Sequence, residues 1–478
     1  MVTISKVDSS DIKIIGDVED RVLISSYFTK PVEGFRYHPL FKTGRWDGMV
    51  RFFKITTGLL PFGLYHELIN FLEKNEIKYI LDDNILNDIT PKEIEDFHLA
   101  TKNFNPEMSH REYQLSAAKK ILEIRRGILE HPTGSGKTVT SYLILNYLLQ
   151  KGYKDILFIV PNKSLLAQTY AAFEKYGFSL DLLGKYFGDE KDDTKTITIG
   201  TWQSLSKNIK LLNKTKIIIC DEVHGVKAKE LTELLKNCIN SEYRIGVTGS
   251  LPRDETNRFS IIGGIGPVID KIETNKLIFD EKVLSEISIK IFDLEYPKSL
   301  KKLVKEYKDE KAIIKSYDVR KKLFKTIINH YVKPGENCLV LFDEIELGKN
   351  YKEFIEPHFP NKKIYWIVGA TKIMEREEIR LLTNIQKDVI VFGSLGTCST
   401  GIDIPRLHHI IFLFSGKSVI RIKQSIGRGM RLHNEKENVV IYDIADGLKF
   451  GRRHLLERMK IYADEGFPVE LIEIPIKN

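Results

Sequence analysis

An α/β chain is expected here: two parallel-sheet units in tandem, preceded by a small α+β N-terminal domain. Three observations carry that expectation. From about Arg111, short apolar runs alternate with helix-length amphipathic segments. That alternation is the signature of a parallel sheet covered by helices on both faces. The same alternation resumes after a Lys- and Glu-dense stretch, Ser299 to Lys325. The first hundred or so residues lack it and read as a separate small unit. The length of 478 residues agrees, since roughly 150 residues per domain makes about three domains. The expected domains are 1–105, 106–285 and 286–478.

Each element has a local reason. In the small unit, Arg21–Phe28 and Met49–Ile55 read as strands from their β-branched and aromatic content. Gly63–Lys74 has the spacing of an amphipathic helix, and Lys78–Asp83 reads as a closing strand. A polar stretch, Asp88–Ser109, leads into the first α/β unit. Its expected strands are Gly127–Glu130, Asp155–Pro161, Thr196–Thr201, Lys216–Glu222 and Tyr243–Gly249, with helices at Thr138–Gly152 and Ser164–Gly177. Ser299–Lys325 reads as a solvated helical connector. Strands at Cys338–Glu344, Lys363–Gly369, Asp388–Ser394, His408–Ser415 and Asn438–Ile444 build the second unit.

Hydrophobic residues make up 42% and charged residues 29% of the chain. This is globular composition, which excludes wholesale disorder, a collagen and a disulfide miniprotein. Lys+Arg 73 against Asp+Glu 65 gives +8, which suits a polyanionic partner if the surplus is clustered. The four cysteines form no C-x-x-C pair, so neither a disulfide framework nor a structural zinc is expected. The first residues do not read as a signal peptide, and no apolar run is long enough for a bilayer. The expected setting is a reducing, cytoplasmic one with no membrane partner.

The strongest chemical signal is His131-Pro132-Thr133-Gly134-Ser135-Gly136-Lys137-Thr138, which follows a short strand and opens a helix. Glycines let main-chain N–H groups turn inward around phosphate, and the helix N-terminus adds partial positive charge. Pro132, Thr133, Gly134, Ser135, Gly136 and Lys137 would cradle a nucleotide's phosphates, with Lys137 on the β- and γ-phosphates and Thr138 on Mg²⁺. His131 stands where the generic loop has glycine. The second signal is Asp221-Glu222-Val223-His224, directly after an apolar strand. Two acids after a strand, taken alone, are a solvated loop. Downstream of a phosphate loop, Asp221 suits a Mg²⁺ ligand and Glu222 suits the activation of water. The cofactors expected are therefore ATP and Mg²⁺.

P-T-G-S-G-K-T followed by D-E-V-H resembles motifs I and II of superfamily-2 helicases and translocases. The rest of that motif set is matched in order. Arg111–Gln114 resembles the adenine-reading element, with Arg111 and Gln114 at the nucleotide; Pro161–Gln168 resembles motif Ia and Gly200–Leu205 motif Ib. Val247–Ser250 stands at motif III, though the family more often has T-A-T or S-A-T. Ser394–Pro405 resembles motif V, which places Gly401 and Asp403 at the nucleotide, and Gln424–Arg431 resembles motif VI. The resemblance implies two RecA-like domains and catalytic roles for Lys137, Asp221, Glu222, Gln424, Arg428 and Arg431. Arg428 and Arg431 are the arginine fingers for the developing γ-phosphate charge. ATP would then be served by residues of both α/β units, which is the design of a motor.

The resemblance also implies a nucleic-acid track. Lys163, Thr201, Ser204, Thr371, Thr397 and Thr400 are its phosphate contacts, by chemistry that reads no base. The plain alternative is that these hydroxyls cap helices in βα loops. In the N-terminal unit, Phe35–Gly48 interleaves basic and aromatic residues, with Arg45 and Trp46 as candidate DNA contacts. Trp46 either stacks on an exposed base or packs, with the other aromatics of its hairpin, on the small domain's helix. Gly44-Arg45-Trp46-Asp47-Gly48 before a strand is similar to the N-terminal domain of UvsW-type bacteriophage helicases, which act on branched DNA. That resemblance implies branch migration or unwinding of forked DNA in replication, recombination or repair, by a monomer or weak self-associate, in the host cytoplasm if phage-encoded. The alternatives are an RNA helicase, or a DNA-binding ATPase module without unwinding. Motif II here is D-E-V-H, not the D-E-A-D of the largest RNA class.

Overall fold

The structure is a computed structural model that describes residues 1–225, 228–398, 404–413, 416, 426–427, 430, 432–436 and 438–475. The described residues form two compact units, Met1–His131 with Gly136–Lys271, and Ile272–Asn478 with Pro132–Ser135.

The N-terminal part of the first unit contains β1 (Val2–Lys6), β2 (Asp11–Ile15), β3 (Thr29–Pro31), β4 (Met49–Arg51), β5 (Leu59–Pro61) and β6 (Tyr79–Leu81). Four of them form a sheet in the order β5-β2-β1-β6, and β3 pairs with β4. Alternation sets the buried face, with Val2 and Ile4 of β1 against Ile12 and Ile14 of β2. The helix Tyr65–Lys74 lays Tyr65, Leu68 and Leu72 onto that face. Arg21–Phe28 differs from its expected strand, because Val18–Tyr27 is a helix. Glu19 and Asp20 in its first turn suit the helix dipole, and Val22 and Leu23 stay exposed. Ile24 and Phe28 are the residues of this segment that enter the core.

The central sheet follows with β7 (Arg126–Glu130), β8 (Ile156–Val160), β9 (Leu183–Phe187), β10 (Glu190–Lys191), β11 (Ile197–Thr201), β12 (Ile217–Asp221), β13 (Tyr243–Thr248) and β14 (Val268–Lys271). Its order is β10-β9-β11-β8-β12-β13-β7-β14. All pairs are parallel except β9 with β10. β8, β11, β12 and β13 are buried along their length, as strands covered on both faces must be. The helix Lys137–Gln150 is predominantly apolar and buries every residue from Val139 to Leu148. The polar stretch Asp88–Ser109 is strapped onto that helix. Asn146 Nδ2 reaches the carbonyls of Leu99, Ala100 and Lys102 at 3.2, 3.0 and 2.7 Å.

The small sheet shares its apolar core with one face of the central sheet. Val2, Ile14 and Leu60 cluster with Leu231, Leu235 and Ile262. Fully buried Arg244 of β13 spans the two, donating to Ser10 Oγ at 2.8 Å, Ser241 Oγ at 2.7 Å and Gly264 O at 3.1 Å. Gly63 meets the helix Glu255–Gly264 so closely that a Cβ would lie 1.9 Å from Ile262 O.

The second unit carries β15 (Glu286–Leu294), β16 (Cys338–Phe342), β17 (Lys363–Ile367), β18 (Val389–Ser394), β19 (His409–Phe412), β20 (Asn438–Asp446) and β21 (Val469–Ile474). They form one parallel sheet, β17-β18-β16-β19-β20-β15-β21. The stretch Ser299–Lys325 is helical but is not a solvated connector. Its helices bury Ile313, Ile314, Leu323 and Phe324 in the core of this unit. Glu310 accepts main-chain N–H groups of Phe450 and Gly451 at 2.7 and 2.6 Å. Arg320 donates to Asp446 at 2.8 Å with both side chains fully buried. The Lys and Glu density masked the apolar stripe beneath it.

Candidate nucleotide and nucleic-acid site

In a parallel sheet every strand ends on the same edge, where the βα loops gather. The expected site residues of the first unit follow this rule. His131 follows β7, Lys163 follows β8, Thr201 ends β11, Asp221 ends β12 and Thr248 ends β13.

The phosphate loop runs from β7 into the helix Lys137–Gln150. Gly134 and Gly136 adopt φ of 90° and 80°, the left-handed region in which glycine is unstrained. A Cβ on Gly136 would lie 2.3 Å from Gln114 Nε2. Gln114 is buried, and its Oε1 accepts the Arg111 main-chain N–H at 2.9 Å. The structure thus sets Gln114 against the end of the loop, and Arg111 at the N-cap of the helix Glu112–Ile124.

Lys137 opens the loop's helix, with Nζ 3.4 Å from Glu222 Oε1. Thr138 follows it on the first turn. Glu222 adopts φ of 48°, a strained choice for a non-glycine residue that aims its side chain back to Lys137. The Glu222 N–H donates to Asp221 Oδ1 at 2.9 Å. Burial pushes the Asp221 carboxyl up to about 7, with the charge of Glu222 adding and that of Lys137 opposing. Such a carboxylate, buried beside a second acid, is chemically suited to a divalent cation. His224 lies beyond, with Nδ1 2.6 Å from Thr248 Oγ1 and 3.4 Å from Glu222 Oε2. Burial lowers its pKa. Thr248 Oγ1 in turn donates to Ser250 O at 3.0 Å. The segments read as motifs I, II and III are therefore one hydrogen-bonded cluster.

The track residues divide. Lys163 is exposed at the first turn of its helix, with Nζ 5.6 Å from the centre of the Phe187 ring. Thr201 is 5% exposed and donates to Ser204 Oγ at 3.3 Å, so Ser204 is the more accessible of the two. In the second unit, Thr371 follows β17 and its Oγ1 accepts the Val368 N–H at 3.0 Å. Arg376 braces this loop through Gly369 O at 2.7 Å and Thr371 O at 2.8 Å. Thr397 Oγ1 pairs with Ser394 Oγ at 2.8 Å after β18. Thr400, Gly401, Asp403, Gln424, Arg428 and Arg431 lie outside the described residues.

In the N-terminal hairpin Arg45 is exposed. Trp46 is half-buried, donates from Nε1 to Met49 O at 3.2 Å and meets His38 edge-on at 5.2 Å. Tyr37 is 82% exposed. Gly48, at φ of 80°, leaves 2.2 Å between a built Cβ and the Phe35 ring, which fixes the loop's close return. Sequence reasoning missed two supporting residues, Asp270, which pairs with His131, and Arg376, and it placed Thr248 in motif III without its hydrogen-bond partners. Pairings across strands leave no local sequence signal.

Comparison with known proteins defines the class. The family described as the res subunit of type III restriction enzymes matches residues 107–253. The N-terminal domain of the DNA helicase UvsW matches residues 2–82, and the helicase conserved C-terminal domain matches residues 318–433. With two RecA-like sheets and the ordered motifs, the chain is an ATP-driven helicase enzyme that resembles the superfamily-2 helicases. It resembles the UvsW-type bacteriophage helicases along nearly its whole length. Against the ATP-dependent DNA helicase uvsW of Enterobacteria phage T4 it is 28% identical over 473 residues, which cover 93% of each chain. The crystal structure of T4 UvsW matches with a TM-score of 0.52 at 25% identity, covering 99% of both chains. A putative helicase of the Sulfolobus islandicus filamentous virus is 28% identical over 375 residues, covering 73% of this chain and 65% of that protein.

Proposed function

We propose that this ATP-dependent DNA helicase unwinds or branch-migrates forked and junction DNA in replication, recombination or repair. The observation that carries the ATPase reading is the cluster of Lys137, Glu222 and Asp221 at the end of a glycine-turned loop, with Lys137 and Glu222 3.4 Å apart. Lys137 binds the β- and γ-phosphates, Glu222 orients the attacking water, and Gln114 with Arg111 faces the base. Thr138 and Asp221 hold Mg²⁺, which supplies charge neutralisation on the phosphates when bound. Gln424, Arg428 and Arg431, with Gly401 and Asp403, complete the site by their place in motifs V and VI.

On the DNA side, Lys163, Ser204, Thr201, Thr371, Thr397 and Thr400 hold the backbone of one strand. Arg45 and Trp46 engage the branch, with Arg45 on phosphate and the open face of Trp46 on a base. The preference for branched DNA draws support from the match of residues 2–82 to the UvsW N-terminal domain. We assign the domains to 1–105, 106–285 and 286–478, and expect a chain that works as a monomer or weak self-associate in a cytoplasm. The test is strand exchange on a synthetic four-way junction with ATP, with Lys137→Ala alongside. Wild-type protein resolves the junction, while Lys137→Ala binds it without turnover. Full turnover by Lys137→Ala contradicts the assignment of the loop.

A further inference from the structure

The phosphate loop begins on His131, and its side chain has a partner that no motif foretells. Nε2–H donates to Asp270 Oδ2 of β14 at 2.9 Å. The other carboxylate oxygen takes Lys120 Nζ at 3.2 Å. The main-chain N–H of His131 donates to Thr248 O at 2.9 Å, which extends the β7–β13 ladder by one residue. The first residue of the loop is thus held by its main chain from β13 and by its side chain from β14.

We propose that His131 is a positioning residue for the phosphate loop, clamped by Asp270, and that the pair sets the loop's affinity for the nucleotide. This rests on reading residues 131–138 as the phosphate loop.

Three observations support it. The imidazole is fully buried, yet its Nδ1 meets no hydrogen-bonding partner among the described residues. A small apolar residue at that position would avoid the buried, unmatched nitrogen, so the histidine asks for a compensating role. The far end of the loop is fixed as well, since Gly136 is wedged against Gln114. Main-chain N–H donors hold an anion well when their geometry is set beforehand, and fixing both ends of a short loop does that. Thr248 links the clamp to the rest of the cluster, because its carbonyl takes the His131 N–H and its hydroxyl meets His224. His131 reaches no reacting atom and acts through the loop.

The test uses full-length His131→Ala, His131→Gln, Asp270→Ala and the double variant, with DNA-stimulated ATP hydrolysis and binding of a fluorescent ADP analogue. His131→Ala is expected to raise KM and the analogue's Kd about tenfold, the loss of one charge-assisted hydrogen bond, with kcat held within about twofold. His131→Gln, whose amide can donate to Asp270, recovers most of the affinity. Asp270→Ala reproduces the defect, and the double variant is no worse than either single. Unchanged KM with a lowered melting temperature overturns the proposal, as does a fall in kcat at constant KM. Should His131→Ala fail to fold, Asp270→Ala at its partly exposed position carries the same comparison. Lys137→Ala separates the two levels. If it still hydrolyses ATP, the loop reading fails; if it does not while the His131 variants keep KM, this inference alone fails.

Discussion

Asp221 shows how a side chain proposed for catalysis can work against the fold that holds it. Its carboxyl is raised to about 7, first by burial and then by Glu222. A carboxyl raised on folding binds more protons in the native state, so stability falls as pH rises from its unfolded value to its folded one. The destabilisation is complete above about pH 7 and absent below about pH 4. Asp221→Asn is therefore expected to melt a few degrees higher than the wild type at pH 8 while losing ATP hydrolysis. The two melting temperatures converge as pH falls below the unfolded carboxyl value. Scanning calorimetry at several pH values reads this directly; a variant less stable than wild type at pH 8 contradicts it. Lys137→Ala tests the opposite charge, with hydrolysis expected to fall by about a thousandfold and junction binding kept.

At the scale of elements, the buried pairs decide more than the surface ones. Arg320 and Asp446 sit at 2.8 Å with no exposure, and Tyr296 OH donates to the same carboxylate at 2.7 Å. Asp446→Ala leaves a buried guanidinium unpaired and is expected to destabilise the second unit by about 3–5 kcal/mol in urea unfolding. The exposed pair Lys349–Glu353 is expected to contribute within about 1 kcal/mol. Gly63→Ala puts a methyl group against the Ile262 carbonyl. Overpacking of that kind costs about 1–3 kcal/mol, which would read as a lowered melting temperature of the first unit. The same elements show what was legible. β8, β16 and the first four residues of β12 are continuous apolar runs and announce themselves as buried parallel strands. Val18–Tyr27 misleads, because Val18 and Val22 are exposed on a helix that buries only Ile24. β1 and β2 alternate apolar with polar residues and make no continuous apolar run, and Ser299–Lys325 hides Ile313 and Phe324 beneath lysines.

At the scale of the whole molecule, the motifs were legible because phosphate chemistry restricts residue type and spacing together. Lys137, Asp221 and Glu222 could be named from sequence and meet at the strand ends. Asp270 could not, and Thr248 could be placed in motif III but not paired, because such partners are set by strand order rather than by spacing. The docking of the small N-terminal sheet on the first α/β unit was equally hidden, since Arg244 reaches Ser10 across more than two hundred residues of chain. The central claim concerns the track that this assembly serves. It is tested most directly by ATP hydrolysis at one salt concentration with no nucleic acid, single-stranded DNA, duplex DNA, a four-way junction and structured RNA. The largest stimulation is expected from the four-way junction. Stimulation by structured RNA alone would contradict the account and require the N-terminal domain to be reread as an RNA-binding element.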